Sequence, residues 1–148
     1  MEQPGGGRLR VLMVDDSSAD VLLVKEAFRD CGLECDVEVA EDVRAAIARL
    51  DRLARATDAQ DAIDLVLLDL KLPGGDGTEV LRHIRLDPKL RELPVFVLSG
   101  SQSPADREGV ERLGATVYFR KPENFSELLR VCSVIRDLWR GRKTREAE

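Results

Sequence analysis

The chain has 148 residues, 43% hydrophobic and 34% charged, with a formal net charge of −5. That length suits one domain with a sizeable core. The mixed, acidic balance argues against a dedicated nucleic-acid binder, which presents a basic face, and no apolar run reaches the ~20 residues of a membrane span.

In chain order, "MEQPGGGRLR" lacks the apolar core of a signal peptide, so residues 1–8 read as a disordered lead-in. "RVLMVDD" is a short apolar run and reads as a first strand. "SSADVLLVKEAFRDCG" follows as a helix, with a serine cap, a stripe at Val24, Ala27, Phe28 and Cys31, and Gly32 as its stop. "ECDVEVA" alternates with period two, as a half-exposed edge strand does. "DVRAAIARLDRL" repeats Val43, Ala46, Ile47 and Leu50, a helical stripe. "IDLVLLDL" is continuously apolar and suits a central strand covered on both faces. "DGTEVLRHIRL" is a helix with Asp76 as cap and Glu79 three residues on. "LPVFVLSG" is a second central strand. "SPADREGVERLG" is a helix with Ser103 as cap, Pro104 at its first position and Gly114 past its end. "ATVYF" is a short strand, and "NFSELLRVCSVIRDLWR" is a long final helix capped by Asn124. One domain over residues 9–140 results, with 141–148 a frayed, charged tail.

Five strands alternating with five helices imply an α/β fold, a parallel sheet with helices on both faces. Parallel sheets bind ligands outside the carboxyl ends of their strands. There the sequence places Asp15 and Asp16, then Asp69, then Ser99, then Lys121 before Pro122. Three carboxylates at one edge repel unless protons or a cation intervene. Such an oxygen set suits Mg²⁺, a lysine supplies a point charge for phosphate, and an aspartate can attack phosphorus. The set is therefore competent for phosphoryl transfer onto Asp69.

Taken singly, most of these residues have plainer readings. Ser99 fits an ordinary strand-end hydroxyl, Lys121 a solvated loop residue and Tyr118 an edge-strand aromatic. His83 reads as a helix-surface residue rather than a ligand. Cys31, Cys35 and Cys132 are odd in number and lack metal-ligand spacing, which suits buried thiols in a reduced cytoplasmic protein.

Together, "VDD", "LLDLKLPGGDG", "VLSG" and "YFRKP" make the chain resemble receiver domains of bacterial two-component response regulators, from about Arg8 to Arg140. Thirty positions separate Asp69 from Ser99 and twenty-two separate Ser99 from Lys121, which fits that family. The resemblance implies a flavodoxin-like three-layer fold with strand order 2-1-3-4-5. It implies Asp69 as acceptor of a phosphoryl group from a histidine kinase. Asp15, Asp16, Asp69 and the backbone carbonyl of Lys71 would hold Mg²⁺, and Lys121 would bridge to the phosphoryl group through a site whose Lys121–Pro122 peptide is typically cis. Ser99 and Tyr118 would be the switch pair. "DDSSADVLLVKEAF", with a further acid at Asp20, and the "YFRKPENFSELLRVCSVIRDLW" ending look like stand-alone receivers paired with bacterial phytochrome kinases.

Several features remain outside the site. On the last helix Phe125, Leu128, Cys132, Ile135 and Trp139 form one stripe that can face the sheet, and Val131, Val134 and Leu138 form a second, which reads as a homodimer surface or as a wide core face. Leu22, with Pro122 nearby, reads as a kinase-docking contact. The helix bearing Gly109 has few large apolar residues and should be loosely held, as a switch element is. The Lys71 side chain is expected at the mouth of the site, where it would tune phosphate lifetime. The competing classes are an aspartyl-phosphate phosphoesterase, a flavin or nucleotide carrier and an unphosphorylated scaffold. Against the first, "DLKLP" lacks the second aspartate of an Asp-x-Asp pair; against the second, no glycine-rich loop follows strand one. The expectation is a phosphoacceptor with slow self-dephosphorylation rather than an enzyme.

Overall fold

A computed structural model describes residues 8–100 and 103–147, so residues 1–7 of the lead-in lie outside the described residues. Its strands are β1 (Leu9–Val14), β2 (Cys35–Ala40), β3 (Leu65–Asp69), β4 (Lys71–Leu72), β5 (Gly75–Asp76), β6 (Val95–Ser99) and β7 (Val117–Arg120). Its helices are α1 (Ser18–Asp30), α2 (Val43–Arg55), α3 (Thr78–Leu86), α4 (Pro104–Arg112) and α5 (Phe125–Ala147). The main sheet runs β2-β1-β3-β6-β7 with every pairing parallel, which is the 2-1-3-4-5 order of a flavodoxin-like fold. β4 and β5 pair antiparallel as a separate two-stranded hairpin.

The sheet has this form because its central strands are apolar on both sides. Every residue of β3 and β6 is buried, whereas β2 at the edge alternates along part of its length. One face packs Val24, Phe28, Cys132 and Ile135 of α1 and α5 against Leu9, Val11 and Leu67. The other packs Leu50, Val80, Leu81 and Ile84 of α2 and α3 against Leu12, Leu68 and Val97. Caps set the helix starts: Ser17 Oγ accepts from Asp20 N, Ser103 Oγ from Asp106 N and Asn124 Oδ1 from Glu127 N. α4 has a single buried residue, Val110, in keeping with its sparse apolar pattern.

Four details depart from the sequence reading. Asp76 does not cap α3; Gly77 occupies that position, and Asp76 Oδ1 instead accepts from Thr78 N in the turn before it. α5 runs to Ala147, through residues 141–147 that the sequence reading placed in the charged tail. Val131 is only 8% exposed and belongs to the core with Leu128 and Ile135, its neighbours one helical turn away. It therefore leaves the proposed dimer stripe, where Val134 (41% exposed) and Leu138 (43%) remain. Of the three free cysteines, only Cys132 is buried; Cys31 and Cys35 lie half-buried at the ends of α1 and β2.

Candidate functional site

Parallel strands all deliver their carboxyl ends to one edge, and the register aligns them. Val14 pairs with Leu68, Asp69 with Leu98 and Ser99 with Arg120. The residues just past or at these ends are Asp15, Asp16, Asp69, Ser99 and Lys121. Carboxylate oxygens of Asp15, Asp16 and Asp69 all lie within 4.8 Å of one another. Asp15 (2% exposed) and Asp69 (8%) are buried, while Asp16 is open to solvent. Lys121 Nζ lies 3.3 Å from Asp69 Oδ2, and the Lys121 backbone N–H donates to Ser99 O at 2.7 Å. The fold thus brings Asp15, Asp16, Asp69 and Lys121 together, with Ser99 joined to Lys121 through its backbone carbonyl.

The electrostatics are unbalanced. Burial pushes the Asp15 carboxyl up, with the Asp69 and Asp20 charges adding to it; the Ser17 N–H at 2.8 Å and Lys121 act against the rise. Burial pulls the Lys121 ammonium down, but its bond to Asp20 and the charges of Asp69 and Asp15 outweigh that, and the group ends above its ordinary value. One lysine cannot neutralise three or more acids. The donor set is hard oxygen, partly solvent-facing and short of positive charge, so it fits a divalent cation such as Mg²⁺ that retains waters.

The loop after Asp69 is held close to this set. Lys71 N donates to Asp69 Oδ1 at 3.1 Å, and Gly77 N donates to Leu70 O at 2.8 Å. The β4–β5 hairpin turns through Pro73 and Gly74, the latter at φ +75°, where a Cβ would be strained. Gly77 is required for a different reason: a Cβ there would stand 2.6 Å from Asp69 O and 2.7 Å from Leu70 Cα. Both neighbours are backbone and cannot swing aside. Gly77→Ala is expected to destabilise the domain by about 1–3 kcal/mol and to weaken Mg²⁺ binding by displacing Asp69. Thermal melts with and without Mg²⁺ check this; a variant with wild-type melting and wild-type metal response would contradict it.

The remaining sequence-predicted residues fall as follows. Tyr118 is buried, with the Arg107 guanidinium 5.6 Å from its ring centroid, so the ring is not an exposed edge aromatic. Leu22 is 62% exposed on α1, and Pro122 lines a small pocket with Leu23, Lys121 and Phe125. The Lys121–Pro122 peptide is trans, since no cis peptide occurs among the described residues; the trans isomer is the ordinary X–Pro form. His83 is half-buried and has a partner: its Nε2 lies 2.8 Å from Asp51 Oδ1, joining α3 to α2. The sequence reading missed the β4–β5 hairpin, although "LPGGDG" carries the Pro-Gly turn signal. It also missed the place of Asp20, whose Oδ2 lies 3.0 Å from Lys121 Nζ.

Comparison with known proteins agrees with this fold. The profile of the response regulator receiver domain matches residues 11–133. The response regulator Rcp1 of Synechocystis sp. is 33% identical over 129 residues, covering 87% of each chain. Among solved structures, the phosphorylated cyanobacterial phytochrome response regulator RcpA superposes with a TM-score of 0.78 at 34% identity, over 90% of this chain and 94% of that one. The Mn²⁺-bound form of Rcp1 superposes with a TM-score of 0.75 at 32% identity, over 88% of this chain and 94% of that one. The chain belongs to the response regulator receiver domain family.

Proposed function

We propose that the protein is a response regulator that accepts a phosphoryl group on Asp69 from a histidine kinase, with Mg²⁺ bound by Asp15, Asp16, Asp69 and the Lys71 backbone carbonyl. The observation that carries this reading is the convergence of three carboxylates within 4.8 Å beside a lysine 3.3 Å from Asp69. A carboxylate oxygen of Asp69 attacks phosphorus of the donor phosphohistidine. The new O–P bond forms as the N–P bond breaks, and the imidazole leaves with the electron pair. Held by Asp15, Asp16 and Asp69, Mg²⁺ would supply positive charge to offset that on the phosphoryl oxygens. Lys121 supplies a further positive charge, and Ser99, buried at the end of β6, donates its hydroxyl to a phosphoryl oxygen. Tyr118 completes the switch pair with Ser99 on the neighbouring strand, beside the lightly anchored α4.

Likeness to phytochrome response regulators supports a phytochrome histidine kinase as donor. Leu22 on α1 and Pro122 are the proposed docking contacts, and output is by protein contact or onward phosphotransfer. No helix among the described residues is long and apolar enough to cross a membrane, which is compatible with the cytoplasmic site the reading requires. The test is phosphotransfer from a purified phytochrome histidine kinase beside an unrelated kinase. Rapid, Mg²⁺-dependent transfer from the phytochrome kinase alone is expected; equal rates from both would remove the phytochrome assignment.

Homodimerisation through α5 rests on the exposed Val134 and Leu138. Val134→Glu is expected to convert dimers to folded monomers in light scattering. An unaltered mass would reject this surface.

A further inference from the structure

We infer that Asp20 is a competing partner for Lys121, holding the lysine while Asp69 is unmodified and releasing it when a phosphoryl group forms there. The inference rests on the reading of Asp69 as phosphoryl acceptor and adds a residue to it.

Lys121 Nζ stands between two carboxylates: Asp20 Oδ2 at 3.0 Å and Asp69 Oδ2 at 3.3 Å. The shorter contact is to Asp20. Asp20 is absent from the trio of mutually close carboxylates at Asp15, Asp16 and Asp69, so its partner is the lysine rather than a metal bound by them. Its backbone is fixed, because its N–H donates to Ser17 Oγ at the cap of α1. Asp20 therefore ties the mobile end of the Lys121 side chain to the first turn of α1.

A phosphoryl group on Asp69 alters this balance. The acyl phosphate formed on Asp69 carries, like other phosphoryl groups, a charge of about −1.5 to −2 and three strong acceptor oxygens, against one unit on a carboxylate. A lysine is a point charge on a flexible four-carbon stem, so its ammonium can move a few ångströms without backbone motion. The phosphoryl group then draws Nζ away from Asp20. Two consequences follow. While Lys121 is tied, the phosphoryl group must displace a charged partner and also meets the repulsion of Asp20, so Asp20 lowers the affinity of the site for a phosphoryl anion. Once Lys121 leaves, a bare carboxylate appears on α1 in the pocket formed with Leu23, Pro122 and Phe125. Phosphorylation at Asp69 thus changes the charge of the α1 surface without any change in α4.

Beryllofluoride, a phosphoryl mimic, titrated with saturating Mg²⁺ into wild type, Asp20→Asn and Asp20→Glu tests this. Asp20→Asn removes the charge but keeps the shape, and is expected to bind about three- to tenfold more tightly. Asp20→Glu keeps the charge and is expected to bind like wild type. A second readout follows the Lys121 ammonium resonance in protein made with nitrogen-labelled lysine. Wild type and Asp20→Asn should differ when free and coincide when the mimic is bound. Equal or weaker binding by Asp20→Asn, or a resonance difference that persists in the bound state, overturns the inference while leaving Asp69 as acceptor. A wild type that binds no mimic overturns both.

Discussion

Asp69→Asn is expected to abolish Mg²⁺-dependent phosphorylation, with at least a ~10³-fold loss of labelling from a kinase or from acetyl phosphate. The amide that replaces the carboxylate has no anionic oxygen to attack phosphorus. It also removes one of three acids from the cation set while leaving Asp15 and Asp16 in place. The substitution preserves volume at a buried strand end, and the amide oxygen can still accept from Lys71 N as Oδ1 does at 3.1 Å. The variant should therefore fold normally, and its melting temperature should match or exceed that of wild type without metal. Residual labelling at the wild-type rate would mean that another group is the acceptor.

Asp15→Asn is expected to stabilise the metal-free protein at neutral pH by roughly 1 kcal/mol, about 2–4 °C in Tm, while removing stabilisation by Mg²⁺. Asp15 is almost wholly buried, and burial is the main cause that raises its carboxyl above the ordinary range. A raised folded value means that the native state favours the protonated acid. The contribution of Asp15 to stability is thus fully present below the ordinary carboxylate range and is lost as pH rises through the folded value. At pH 7 the charged form is a burden that asparagine lacks. An asparagine oxygen still accepts the Ser17 N–H that Asp15 Oδ1 holds at 2.8 Å. The gain should vanish in acid, where wild type is also neutral at this position. Mg²⁺ should raise the Tm of wild type and leave the variant nearly unmoved, since binding to the native state alone is stabilising. A variant less stable than wild type at neutral pH, or one stabilised equally by Mg²⁺, would contradict this.

These two acids were legible in the sequence because strand ends are. Each sits at the close of an apolar run, and a parallel sheet sends such closures to one edge. Ser99 and Lys121 follow by the same logic, and the helix caps at Ser17, Ser103 and Asn124 follow from side-chain type and position. Less legible was anything that depends on rotation about a helix axis. Val131 shares a sequence stripe with Val134 and Leu138, and only the packing of α5 against α1 and the sheet decides that it is buried. Asp76 looked like a cap because Glu79 follows three residues later, but the return of Gly77 N–H to Leu70 O moves the helix start by one residue. Asp20 stands in the sequence only as a further acid after Asp15 and Asp16, until the fold brings Lys121 to within 3.0 Å of it. Long-range ion pairs carry no local signal. The Lys71 side chain is exposed, so its position does not by itself assign it a role, whereas its backbone is tied to Asp69.

The most direct test is to find where the phosphoryl group resides. The protein is incubated with acetyl phosphate and Mg²⁺, the acyl phosphate is trapped by borohydride reduction, and the reduced residue is located by peptide mass spectrometry. Reduction at Asp69 alone, lost when a chelator removes the metal, is the predicted result. Modification at any other residue, or labelling that persists under the chelator, would contradict it.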